Sequence, residues 1–248
     1  MGKQRKPGAR ALAALVLELT AEELLALLDS PAATKEFARG LITERQDSTY
    51  ITHLSDDEAV AYMVEQDKPQ EQAQELIVNW RKLASDLGYT GPIAWQAKAG
   101  FTLKQHAPKA GLCYEDFQYL QDWNFEDTPT QDTMVFWIPR LAPDSTSKTA
   151  GEQLARLAEL RKEYNMPEGH LTDFGSAALM AGLILAEFKR SGNRVPANLE
   201  YVRTSTRRAD GGRLRLGDFD GGGLVCDDYW WDVRRVRSLG AFLLGVSH

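Results

Sequence analysis

The chain has 248 residues, 43% of them hydrophobic and 26% charged, with a net charge of −6. That length can bury a real core, as one large domain or as a main domain with an appendage. The acidic balance argues against a general nucleic-acid binder, and two cysteines are too few for a disulfide framework or a four-cysteine zinc site.

Residues 1–10 hold four bases and no acid, which predicts a disordered basic tail, with a weak phosphate contact as the alternative. The apolar run Ala11–Leu19 is too short to span a bilayer and is interrupted by Glu18. No small-residue cleavage site follows it, so the expectation is a cytoplasmic protein with no membrane contact. Residues 11–90 are expected to be a small helical region suited to docking or oligomerisation. Thr20 and Glu23 make a capping box, and Ser55 caps a second helix with acids in its first turn. A third helix starts near Pro69 and stops at Gly88.

The pattern changes after residue 90. Turn residues and short aromatic or β-branched stretches lead to "TMVFWIPRLAP", an apolar run closed by prolines and predicted to be a buried strand. Two helices follow, "AGEQLARLAELRKEYN" and "LTDFGSAALMAGLILAEFKRSG". The second is apolar almost all round, which predicts deep burial, and Gly192 ends it. From Leu199 onward only strands are expected, in "LEYVRTST", "GRLRLGDFD", "GLVCDDYWW" and "SLGAFLLGV". Alternation there points Leu214, Leu216 and Leu224 inward and Arg213, Arg215 and Asp218 to Asp220 toward solvent or a turn.

Catalytic signals are weak. His53, His106, His170 and His248 have no metal-ligand spacing, and the chain lacks a Walker loop, a dinucleotide fingerprint and a nucleophile elbow. Asp218, Asp220, Asp227 and Asp228 supply hard oxygen donors, but without EF-hand spacing or a closing bidentate Glu. As a catalytic pair, Asp218 and Asp220 would be held ionised by Arg213 and Arg215 on the same strand face. The expectation is a non-enzymatic protein with no cofactor and no bound metal.

The carboxy-terminal alphabet is unusual. Residues 201–248 contain no Lys, Glu, Gln, Asn, Ile or Met, whereas the first 200 contain 56 of them, so about 13 would be expected in the tail. Strand-rich structure lowers the expectation for Lys, Glu and Gln but raises it for Ile. Every codon for the six missing residues contains adenine, and what remains is reachable from adenine-rich codons by replacing adenine. The same alphabet suits a binding face: Tyr and Trp give contact area at low entropy cost, Gly and Ser adapt, and Arg anchors.

The order of strand, two helices and then "EYVRTST…GGRLRLGDFDGGGLVCDDYWWDVRRVRSLGAFLLGV" resembles the end of a C-type lectin fold. More narrowly, it resembles the variable proteins of diversity-generating retroelements, over about residues 130 to 248. There are no lectin disulfides, and the Gly-Gly-Ser-Trp pattern of the formylglycine-enzyme-like branch is absent. The resemblance implies an α+β architecture: a C-type lectin-like domain over 91–248, two helices plus a mainly antiparallel, twisted sheet, preceded by the helical region. It implies a variable region at about 203–238 that binds a protein or other macromolecular ligand of unknown identity.

The ligand-binding residues it implies are Arg213, Arg215, Asp218, Asp220, Asp227, Asp228, Tyr229, Trp231, Asp232, Arg234, Arg235 and Arg237. The competing reading of the same Arg and Asp is a surface ladder of ion pairs between strands, each worth at most about 1 kcal/mol. The alternatives to a diversified binder are a calcium- or glycan-binding lectin-type module of fixed specificity, and an enzyme using the acidic tail.

Overall fold

The structure, a computed structural model, describes residues 50–197, 199–229 and 232–247, with the side chain of Tyr229 left out. The expected basic tail, the helices of residues 11–49 and the Thr20–Glu23 capping box lie outside the described residues, as do Trp231 and His248. In chain order the elements are β1 (Ile51–Leu54), α1 (Asp56–Glu65), α2 (Gln70–Asp86), β2 (Ala94–Ala97), the short α3 (Ala107–Ala110) and a 3-10 helix (Tyr114–Asp122). They continue with β3 (Thr133–Leu141), α4 (Ala150–Glu163), α5 (Ala177–Ser191), β4 (Tyr201–Arg207), β5 (Arg213–Asp220), β6 (Gly223–Tyr229), β7 (Leu239–Gly240) and β8 (Phe242–Ser247). The architecture is α+β, with one antiparallel sheet ordered β1-β2-β3-β8 and one mixed sheet ordered β6-β5-β4-β7.

The unbroken apolar run of β3 has a direct cause: both faces of its sheet are covered. Met134, Phe136 and Ile138 enter a core with α1, α2 and α4, while Val135 and Trp137 enter a second core with α5. A strand buried on both sides cannot show the polar alternation of a half-exposed one. α5 explains its own composition in the same way. It packs against residues of both sheets, among them Ile51, Trp137, Val202 and Leu216, so nearly every face must be apolar. Ser176 caps its start, and Gly192 ends it in the left-handed conformation at φ 76°.

The boundary expected near residue 90 is displaced. Ile51–Leu54, expected to be helical, is a strand paired with Ala94–Ala97, and residues 50–90 belong to the same unit as the strands that follow. Ile51 is 5% exposed, so its burial against the α5 core outweighs local helical preference. The Ser55 cap forms as expected, with Ser55 and Glu58 closing a reciprocal box at the start of α1.

Thr149 and Glu152 close the same kind of box on α4. Thr149→Ala is expected to cost about 1 kcal/mol in urea denaturation, because it orphans an amide of the first turn. Among the described residues, no helix is long and apolar enough to cross a membrane.

Candidate functional site

The registers of β4, β5 and β6 sort the carboxy-terminal residues onto two faces. Leu214 pairs with Asp228, Arg215 with Asp227, Leu216 with Cys226, and on the other side Arg203 pairs with Arg215 and Val202 with Leu216. Side chains alternate with period two, so Val202, Leu214, Leu216, Leu224 and Cys226 share the inner face, all at 1% exposure or less. Tyr201, Arg203, Arg213, Arg215, Val225 and Asp227 share the outer face. Leu214, Leu216 and Leu224, expected to point inward, all lie on this inner face.

The outer face is a paired array. Arg215 bonds Asp227 across the strands at 2.5 Å, and its guanidinium lies 4.2 Å from the centre of the Tyr201 ring. Arg213 grips Asp232 with two bonds, Nε at 2.9 Å and Nη2 at 3.1 Å, and donates a third to the Thr204 carbonyl. Asp232 also accepts from Arg207 and lies 3.8 Å from Arg203. The hydrogen bonds from Arg213, joined by those from Arg207, pull the Asp232 carboxyl down to about 2. Its backbone carbonyl accepts the first amide of α4, Ala150 N, at 2.7 Å. Asp232 is a tie point between the sheet and α4, not a projecting side chain.

Other sequence-predicted residues separate from this array. Asp228 falls on the inner-face register at the end of β6, where it pairs with Arg208, whose guanidinium lies over the Trp123 ring. Strict alternation from Leu214 and Leu216 would turn Asp218 and Asp220 inward, but the structure buries Phe219 and leaves both aspartates facing out. Asp218 has a φ of 44° within a register shift, which turns Phe219 into the core against Phe188. Both carboxylates serve the backbone: Asp218 accepts from Leu199 N at 3.0 Å, and Asp220 from Gly222 N at 2.7 Å in the hairpin turn. Arg234, Arg235 and Arg237 are exposed on the segment after Asp232, with Val233 71% exposed among them. Arg235 pairs with Glu152, and the Arg234 carbonyl accepts from Arg203. Tyr229 lies in β6 opposite Arg213.

Two residues that sequence reasoning passed over hold the site in place. Arg203, 1% exposed, donates to Gln153 Oε1 at 2.7 Å and reaches the carbonyls of Lys148 and Arg234. Its signal was its place in strand alternation opposite Arg215, but its partner is 50 residues away in α4. Tyr119 closes the free edge of β6. Its hydroxyl donates to the Cys226 carbonyl at 2.7 Å and accepts from the Cys226 amide at 3.1 Å. Cys113 and Cys226 are buried free thiols, and burial pushes both up, which keeps them protonated. His170 is buried and accepts the Trp80 indole N–H on Nδ1 at 3.1 Å.

Among the described residues, no three His, Cys, Asp or Glu come together as a metal site. With Asp227 and Asp228 bound to arginine and Asp218 and Asp220 bound to backbone amides, millimolar calcium is expected to leave the melting temperature unchanged. A saturable rise, read by differential scanning fluorimetry, would instead favour the fixed-specificity lectin reading. Comparisons with known protein families, curated proteins and solved structures give no match.

Proposed function

We propose that the chain is a non-enzymatic ligand-binding protein whose carboxy-terminal face is diversified by a retroelement, on a domain of the C-type lectin type. The observation that carries this reading is the missing alphabet of residues 201–248: six residue types, each with adenine in every codon, are absent together. Strand content does not account for it, because Ile is among them.

The architecture supports the same reading. β3 and β8 pair antiparallel, α4 and α5 lie between them in sequence, and the β4-β5-β6 sheet precedes β8, as in the end of a C-type lectin fold. The partition of the tail supports it too. The outward set available to a ligand is Tyr201, Arg215 and Asp227 on the strands and Val233, Arg235 and Arg237 on the following segment, while Arg213 and Asp232 brace the face from within. The ligand is a protein or other macromolecule that meets Arg forks, a tyrosine ring and an exposed valine.

Sequencing the surrounding DNA tests this. The reading expects a reverse transcriptase gene and an adenine-rich near-copy of the tail-coding segment. Adenines in that copy should fall at the codons of Arg215, Asp227, Arg235 and Arg237 and spare those of Leu214, Leu216 and Leu224. A locus with neither gene nor copy would remove the basis of the proposal.

A further inference from the structure

A second surface, separate from the carboxy-terminal face, lies on the α1–α2 pair. The two helices send Ala59, Met63, Leu76 and Trp80 into the core. On another side they form a groove of ≈830 Å³ floored by Val60, Val64, Ile77 and Val78 and rimmed by Asp57 and Glu65. Val64 and Val78 are 42% and 64% exposed, so this pair presents aliphatic surface on two sides. The groove is one-signed: Asp56, also on its wall, is bound by Arg81 at 2.6 Å, while Asp57 and Glu65 form no ion pair among the described residues. Among the described residues, no Lys or Arg lines it.

An apolar trough between two helices fits the spaced anchors of a third, and an acidic rim selects bases beside those anchors. We propose that this groove docks a basic amphipathic helix of another polypeptide, with aliphatic side chains on Val60, Val64 and Val78 and Lys or Arg toward Asp57 and Glu65. The rim repels nucleic acid and anionic lipid. The inference does not depend on the proposed role of the carboxy-terminal face.

The test uses the full chain, isotopically labelled and titrated with a synthetic helical peptide carrying leucine along one face and lysine beside it. The lysine peptide is expected to move the amide signals of residues 56–65 and 70–78. The Val64→Ser/Val78→Ser variant should weaken it at least about tenfold with an unchanged melting temperature. Asp57→Lys/Glu65→Lys should transfer the preference to the same peptide with glutamate in place of lysine. Equal binding of both peptides by the unaltered chain, shifts confined to other residues, or full affinity in the serine variant would overturn the proposal. Stronger binding to phosphatidylglycerol vesicles than to the peptide would overturn it as well.

Discussion

Leu216→Ala is expected to lower the unfolding free energy by about 2–5 kcal/mol, and Leu214→Ala by a similar amount. Both side chains are fully buried in the core that α5 shares with the two sheets, so truncation removes apolar contact and leaves a cavity. Arg235→Ala supplies the contrast. Its side chain is 65% exposed and pairs with the partly exposed Glu152, so the expected change is within about 0.5 kcal/mol. Urea denaturation of the three variants measures the partition between inward and outward residues directly. A Leu216→Ala variant as stable as Arg235→Ala would mean that the inner face does not hold the fold.

Asp232→Ala should behave like a core substitution despite its position in the proposed variable region. It removes the carboxylate that Arg213, Arg207 and Arg203 converge on, and Arg203 is 1% exposed. The expected cost is about 1.5–3 kcal/mol, from lost bonds to charged groups and from like charges left together.

The same carboxylate should give an acid signature. Its folded value of about 2 lies below the ordinary aspartate value of about 3.9. A depressed carboxylate contributes stability that is fully present above the unfolded value and is lost as pH falls through the folded one. The window is therefore about pH 4 down to about pH 2. The contribution is about 1–2 kcal/mol once screening is allowed for, because the side chain keeps 31% of its surface exposed. Asp232→Asn should flatten this part of the stability-against-pH curve. An unchanged curve in that variant would assign the acid sensitivity to other carboxylates.

What could be read from the sequence was whatever local periodicity determines. The all-apolar run of β3, the all-round apolar α5 and the alternation of Leu214 and Leu216 each carry their burial in their spacing. Long-range pairing hid the rest. β1 has four residues and owes its state to β2, about 40 residues away. Arg203 reads as one more outward arginine until Gln153 and the 232–237 segment cover it. Asp232 reads as exposed because its three arginines come from two other strands. Strict alternation from Leu214 and Leu216 would turn Asp218 and Asp220 inward; the irregularity at Asp218 resets it, so Phe219 is buried and both aspartates face out, and no local signal announced it.

On the proposed reading, outward positions of the tail bind while inward positions fold. Randomising Arg215, Asp227, Val233, Arg235 and Arg237 together in the full chain, with display and selection against a panel of purified proteins, tests it most directly. Most members of this library are expected to stay folded, as read by protease resistance, and specific binders to emerge whose affinity is lost when those positions are changed to alanine. A matched library at Leu214, Leu216 and Leu224 should be mostly unfolded. If the outward library unfolds as often as the inward one, or yields no binder to any target, the face is a structural ladder of ion pairs and the binding account is wrong.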